Sequence, residues 1–264
     1  MSDDLPERES LAEGTLISHL LELRTRLLRA VVAIGIAAIP CLVYANQLFQ
    51  LVAQPLLKAL PKGATMISTS VSAPLFTPFK LAIIVAAFLA MPYVLYQIWA
   101  FVAPGLYKHE RRFAMPLLVS SVLLFYGGVA FAYFIIFPVM FVFLTAATPA
   151  GVQMMTDMTQ YLDFVLVMFF VLGLAFEIPV AIVLLVWTGL VRLETLKRNR
   201  GYVLIAICVQ AAIITPPDVI SLAIIALPMY ALYELGMLMA KVLARSKIEE
   251  RAREETESEA QPSR

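Results

Sequence analysis

Two long stretches without a charged residue constrain the fold of this chain more than any other feature of its sequence. Residues 81–107 and 113–156 contain no Asp, Glu, Lys or Arg. A helix needs roughly 20 apolar residues to cross the hydrocarbon core of a bilayer, and both stretches exceed that length. Their apolar residues are continuous rather than alternating, which argues against a membrane β-barrel. With 61% hydrophobic residues and a mean hydropathy of +0.85, the chain is predicted to be an all-α membrane protein.

A short charged segment, residues 108–112, separates the two uncharged stretches. The chain is therefore predicted to turn at a membrane surface there. Glu110 is the only acidic residue of the segment. Because a carboxylate bonds strongly to cationic groups, Glu110 is the first candidate for a binding residue.

The apolar segments predict six kinked transmembrane helices that form a concave bundle. Proline kinks a helix because its nitrogen has no hydrogen to donate, and five prolines fall inside or near the end of these segments: Pro40, Pro92, Pro138, Pro179 and Pro228. The last two segments are short for an ordinary bilayer, since the fifth offers only about 13 helical residues, Tyr202–Ile214, and the sixth about 15. This predicts local thinning of the bilayer or contact with partner helices. The six segments are expected at about residues 30–48, 78–101, 116–138, 161–190, 201–217 and 219–233.

Polar ends flank the membrane domain, which is predicted to span residues 30–240. Residues 1–29 form a cytoplasmic N-terminal segment that contains an amphipathic helix, because leucines recur there every three or four residues. Its acid-rich start is unlike a basic signal peptide, so no cleavage is expected. Residues 241–264 form a charged tail whose composition cannot bury a core, which predicts disorder.

The distribution of basic residues predicts the orientation. The chain has 20 Lys and Arg residues. Seventeen of them fall on one side of the predicted membrane, and the other three, Lys58, Lys62 and Lys80, fall on the opposite side. Cytoplasmic loops carry the excess of Lys and Arg. Both termini, the charged segment 108–112 and the loop 191–201 are therefore predicted to be cytoplasmic.

Composition and motif spacing weigh against several functions. A net charge of +1 gives no reason to expect nucleic-acid binding. Cys41 and Cys208 lie in different apolar segments without metal-ligand spacing, so no metal or cofactor is expected. An intramembrane protease would need catalytic groups within the spans, whereas His19 and His109 both lie at the predicted cytoplasmic surface.

Two other functions stay open from the residues alone. A proton-coupled transporter could use Glu177 and Asp163 as a relay within the membrane. A purely structural membrane subunit would bind no ligand. No duplicated half is visible in the sequence, which weakens the case for an inverted-repeat transporter.

Four motifs, in order along the chain, carry a resemblance to a known family. His19–Leu27 (HLLELRTRL), Leu106–Arg112 (LYKHERR), Phe176–Pro179 (FEIP) and Thr215–Asp218 (TPPD) resemble the signatures of TatC, the six-span subunit of the twin-arginine protein translocase. The resemblance implies that the chain is no enzyme and needs no cofactor. It implies a receptor for signal peptides of folded export substrates in the bacterial cytoplasmic membrane. It further implies single-span partners of the TatA and TatB types, self-association in a larger complex, and transport driven by the proton-motive force.

The family implies a signal-peptide site at the predicted cytoplasmic face. Two adjacent guanidinium groups need carboxylates, whose paired oxygens match the fork of an arginine, and Glu22 and Glu110 are the candidates. The residues by themselves leave an alternative open, in which Glu22 pairs with Arg26 on its own helix and Glu110 pairs with a neighbouring arginine. Leu20, Leu23 and Phe101 could supply apolar surface beside the carboxylates. The full set of residues expected at the signal-peptide site is Leu20, Glu22, Leu23, Arg24, Phe101, His109 and Glu110.

Two further sites are expected away from that face. Glu177 lies near the middle of the fourth span, where an acidic side chain costs a few kcal/mol, so it is expected to be protonated or to face a polar interior. It would mark a place where a signal peptide or a partner's polar residue docks, or it would be a neutral carboxyl bonded to a carbonyl freed by Pro179. The residues expected at a partner-docking surface and a periplasmic cap are Pro55, Ile213, Thr215, Pro216, Asp218 and Leu222.

Overall fold

Helices make up nearly all the regular structure in the computed structural model, which describes residues 5–60, 65–102, 111–149, 152, 155–215 and 219–260. Within these ranges the backbone forms no β-strand, only an isolated bridge between Ile67 and Asp157. The all-α prediction is confirmed. The helices are α1 (Leu5–Val43), α2 (Ala45–Ala59), α3 (Ala73–Leu89), α4 (Met91–Val102), α5 (Arg111–Phe131), a π-helical turn (Ala132–Ile136), α6 (Phe137–Ala146), α7 (Met158–Ala175), α8 (Ile178–Trp187), α9 (Leu193–Arg198), α10 (Arg200–Ile214) and α11 (Val219–Ala260).

Among the described residues, four helical segments are long and apolar enough to cross a membrane, and a fifth is if two helices joined by a bend count as one span. Four are continuous, at Leu20–Val43, Met115–Ala146, Met158–Trp187 and Val219–Val242, and the fifth is α3 with α4, bent by 49°. The remaining predicted span corresponds to α10, which has only 15 residues. At 1.5 Å per residue it is about 22 Å long, so its crossing of the bilayer stays a prediction.

The sixth span is not short, contrary to the expectation from sequence. Glu234 was taken to end the apolar segment near residue 233, but α11 continues through Glu234 and its apolar part reaches Val242 over 24 residues. Glu234 is tolerated because Arg200 donates to its carboxylate from 2.8 Å and Tyr230 donates from 3.0 Å. The argument from a short span therefore applies to α10 alone.

The first span also differs from its predicted bounds. Its helix ends at Val43 rather than continuing to residue 48. The amphipathic segment and the span form one helix, α1, because nothing between them breaks the helical hydrogen bonds. After this span the chain turns at Tyr44 and enters α2. Part of the segment between the first and second spans therefore forms a short helix.

Breaks in the other spans occur beside prolines, as predicted. Pro92 follows the bend between α3 and α4, and Pro179 follows the turn at Phe176 and Glu177 between α7 and α8. The π-helical turn lies just before Pro138. Because the proline ring clashes with the carbonyl four residues earlier, a widened or interrupted turn relieves the clash.

The chain packs as two units, and the first comprises Met1–Val52 and Thr69–Val122. In it, α1 packs against α3 and α4. Their contact is built from small buried residues, Cys41 and Ala45 facing Ala82 and Ala86. Small side chains let membrane helices approach closely and gain van der Waals contact.

The second unit comprises Ala53–Ser68 and Leu123–Arg264. Here α8 and α10 pack against α11, and α7 packs against the π-helical turn. Two backbone bonds join the loop before α3 to the start of α7, since Ile67 N donates to Thr156 O at 3.0 Å and Met158 N donates to Ile67 O at 2.9 Å. The buried Asp157 then caps α7 by accepting from Thr159 N at 2.9 Å.

Beyond residue 242, α11 continues as a helix to Ala260, into the segment predicted to be disordered. Its Ala, Arg, Lys and Glu residues have high helix propensity, which favours a helical backbone even without an apolar face. The prediction that residues 241–264 bury no core stays a prediction.

Candidate functional site

Glu22 and Arg26 form an ion pair within α1. Arg26 Nε donates to Glu22 Oε1 at 2.9 Å and Arg26 Nη2 donates to the same oxygen at 2.5 Å. The Glu22 side chain is 36% exposed and the Arg26 side chain 20%. The structure therefore contains the intrahelical pair that the sequence left open as an alternative. Such i, i+4 pairs at a surface contribute only about 0.3–0.5 kcal/mol.

Gln97 on α4 extends this pair into a three-residue network. Its Oε1 accepts from Arg26 Nη1 at 3.3 Å, and Gln97 is 4% exposed. Sequence reasoning missed this residue. The available signal was that Gln97 carries the one side-chain amide in the uncharged stretch 81–107, and a polar side chain buried in a membrane helix is usually bonded or functional.

Exposed apolar and basic side chains lie near Glu22 along α1. Leu20 is 63% exposed and Leu23 is 44% exposed, and Arg24 is also exposed on α1. Phe101 lies at the end of α4 and is half-buried. A half-exposed carboxylate beside exposed leucines can bind a ligand that has a guanidinium group next to apolar side chains.

Four of the expected site residues lie outside the described residues: His109, Glu110, Pro216 and Asp218. Their predicted roles are therefore untested by the geometry. Among the residues that the structure does describe, no group of three or more His, Cys, Asp and Glu side chains could hold a metal ion.

Glu177 lies at the turn between α7 and α8, in the second unit. Its backbone N donates to Leu174 O at 3.0 Å, and its carbonyl accepts from Ala181 N at 2.9 Å. The Oε1 atom of Glu177 is fully buried. One oxygen of the carboxyl group is thus buried in the second unit, while the residue as a whole is half-buried. The predicted role of Glu177 stays a prediction.

Two glycines hold the turn at Glu177 closely packed. A Cβ atom on Gly128 of α5 would lie 2.6 Å from Leu172 O and 3.0 Å from a ring carbon of Phe176. A Cβ atom on Gly236 of α11 would lie 2.8 Å from Pro179 Cα. Real side chains do not approach this closely, so both helices depend on glycine to contact the turn. Sequence reasoning missed both positions.

The residues expected at a docking surface fall into exposed and buried groups. Ile213 is 80% exposed on α10, and Leu222 on α11 is half-buried. Thr215 ends α10, is 7% exposed, and donates from Oγ1 to Ala211 O at 2.9 Å. Pro55 is buried within α2. Only Ile213 therefore presents a large apolar side chain freely, and Thr215 and Pro55 contribute to packing.

A second polar cluster joins the loop 191–200 to α11. In addition to the bonds from Arg200 and Tyr230 to Glu234, the hydroxyl of Tyr233 donates to Leu196 O at 2.8 Å. These contacts fix the short helix α9 against α11. The cluster has a structural role in holding this loop.

Comparison with known protein families points to one function. The family model described as Sec-independent protein translocase protein (TatC) matches residues 18–228. Sec-independent protein translocase protein TatC of Azotobacter chroococcum is 53% identical over 222 residues, covering 84% of this chain and 87% of that protein. The TatC protein of Escherichia coli K12 is 52% identical over 227 residues, covering 86% of this chain and 88% of that protein.

Solved structures give the same result. A crystal structure described as the twin arginine translocase receptor TatC is 36% identical with a TM-score of 0.74, and the match covers 85% of this chain and 98% of that one. A second crystal structure of that receptor, in DDM, is 35% identical with a TM-score of 0.77, and covers 84% of this chain and 99% of that one. The likeness therefore extends over nearly the whole membrane domain.

Proposed function

This chain belongs to the TatC family of Sec-independent protein translocase proteins, and from that membership we propose that it is the signal-peptide receptor and core subunit of a twin-arginine translocase. The family consists of membrane translocase subunits and is not an enzyme family. The ligand is the twin-arginine motif of folded export substrates, bound at the cytoplasmic face. Glu22, beside Leu20 and Leu23 on α1, is the described residue that carries the proposal.

The free energies of the two interactions favour replacement of Arg26 by a peptide arginine as the partner of Glu22. The pair with Arg26 is worth a few tenths of a kcal/mol at a surface, whereas a hydrogen bond to a charged group contributes about 1.5–3 kcal/mol. An arginine of a signal peptide can therefore bond to Glu22 and displace or share the Arg26 contact. The intrahelical pair supports the proposal in that it keeps the carboxylate oriented while no peptide is bound.

Site-specific photo-crosslinking tests the site and its orientation together. A photo-crosslinking residue at Leu20 is expected to capture a twin-arginine signal peptide in inverted inner-membrane vesicles, where the cytoplasmic face is outside. The same peptide added to right-side-out vesicles is expected to give no product. The matched control is Ile39, which is 67% exposed near the other end of α1. Capture at Ile39 instead of Leu20 would contradict the proposed site or its orientation.

The positive-inside distribution supports placing the termini in the cytoplasm of a bacterium and the protein in its cytoplasmic membrane. With the rest of the complex, the receptor would couple transport of the folded substrate to the proton-motive force. A second copy of the chain is also expected in the complex.

A docking surface for single-span TatA-type and TatB-type subunits is proposed on α10. This helix is short, and its exposed apolar side chains include Ile205, Val209 and Ile213. A partner helix that covers a short span offsets its mismatch with the bilayer. A crosslinker at Ile213 is therefore expected to give a product with a partner subunit, whereas one at the buried Ala211 is not. If Ile213 gives no product while Leu20 still captures signal peptide, α10 is not the docking surface.

A further inference from the structure

Gln97 is buried in the first unit and bonds to Arg26. Its Oε1 accepts from Arg26 Nη1 at 3.3 Å, across 71 residues of sequence. Gln97 is 4% exposed, so its bond to Arg26 is shielded from water. A buried amide facing a guanidinium fixes the plane in which that guanidinium lies.

The guanidinium of Arg26 is divided between two acceptors. Its Nε and Nη2 atoms both meet one oxygen of Glu22, Oε1, while its third nitrogen, Nη1, is bonded to Gln97. Among the described side chains, the Glu22 carboxylate accepts hydrogen bonds from Arg26 Nε and Arg26 Nη2, both through Oε1. A carboxylate has two oxygens and about four acceptor positions, so Oε2 remains for another donor.

Without Gln97, Arg26 would lose the contact that holds its third nitrogen away from Glu22. The guanidinium could then rotate to the two-oxygen arrangement that an arginine and a carboxylate normally prefer. That arrangement would occupy both oxygens of Glu22. An incoming arginine would have to break two bonds before forming its own.

We propose that Gln97 is a positioning residue for the signal-peptide site, which holds Arg26 on a single oxygen of Glu22 and so leaves the second oxygen for a signal-peptide arginine. The inference rests on the proposed function of Glu22. Gln97 contributes to recognition through Arg26 and does not itself need to touch the peptide.

Replacement by leucine of similar size tests this role. In full-length protein in nanodiscs, Gln97→Leu is expected to lower the affinity for a synthetic signal peptide with two adjacent arginines about tenfold, the effect of one hydrogen bond to a charged group. The affinity for the same peptide with two lysines is expected to change much less, because a compact ammonium group depends less on the orientation of its acceptor than the rigid planar guanidinium does. The ratio of the two affinities is the readout, because loss of general packing would weaken both peptides equally.

Two comparisons separate failure of this inference from failure of the proposed function. Ser121→Ala removes another buried bond in the same unit, the one that Trp99 Nε1 donates to Ser121 Oγ, and is expected to leave both affinities unchanged. In a Glu22→Gln background, Gln97→Leu is expected to have no further effect. If Glu22→Gln weakens binding but Gln97→Leu leaves the arginine-to-lysine ratio unchanged, the positioning role is wrong. If Glu22→Gln itself has no effect, the proposed site is wrong.

Discussion

Replacing Glu22 by glutamine is expected to lower the affinity for a twin-arginine signal peptide about tenfold to a hundredfold, because it removes one charge-assisted bond of about 1.5–3 kcal/mol. Glutamine keeps the size of the side chain and one acceptor oxygen, so the loss reports the charge. Fluorescence titration of a labelled signal peptide against protein in nanodiscs measures the change. The effect should shrink at high salt, since Glu22 is partly exposed to solvent.

Glu194 gives a matched control for this prediction. It is an exposed acidic residue on α9, on the same predicted face of the membrane, and Glu194→Gln is expected to leave the affinity unchanged. Glu110→Gln, at the second predicted carboxylate, should weaken binding to a similar extent as Glu22→Gln. Equal affinities for the natural protein and Glu22→Gln, with normal protein levels in the membrane, would remove Glu22 from the site.

Replacing Glu177 by alanine is expected to reduce transport of a twin-arginine substrate about tenfold or more, while peptide binding at the cytoplasmic face stays within about twofold. The reason is that an acidic side chain inside a span is expected to bond a polar group of whatever docks there. Losing one such bond costs about a factor of ten. Glu177→Gln keeps hydrogen bonding without ionisation and is expected to be milder. Substrate accumulation outside the cytoplasm, measured beside peptide affinity, separates the two steps.

Asp163 distinguishes this prediction from the transporter alternative. A proton relay through Glu177 and Asp163 would make Asp163→Asn as damaging as Glu177→Ala, and would give small-solute flux by the chain alone. A docking role for Glu177 predicts a strong effect at Glu177 and a weak one at Asp163. If the Glu177→Ala variant transports normally while the Glu110→Gln variant does not, the proposed intramembrane site is wrong and the cytoplasmic site alone is kept.

Much of the architecture follows from local sequence. The helical class and most of the spans were predictable because the length of an apolar run decides whether it can cross a membrane. The break beside Pro179 was predictable because a missing N–H acts within one turn. The pair of Glu22 with Arg26 was foreseen as an alternative, since residues four apart lie on one helical face.

The error in the predicted end of the sixth span has a physical cause. Glu234 reads locally as the end of an apolar span, yet it lies inside α11. Its charge is compensated by Arg200, 34 residues earlier in the chain, and no pattern within one helix shows that contact.

The sequence alone determined that this protein is a helical membrane protein and which acidic residues could bind a cationic ligand, because apolar run length and the local placement of charge are properties of single segments. The tertiary structure decided how these groups are held. Gln97 bonds to Arg26 across 71 residues, and Gly128 and Gly236 contact the turn at Glu177 from separate helices. Such contacts depend on which helix faces pack together, and packing between distant segments is set by shape complementarity over the whole unit.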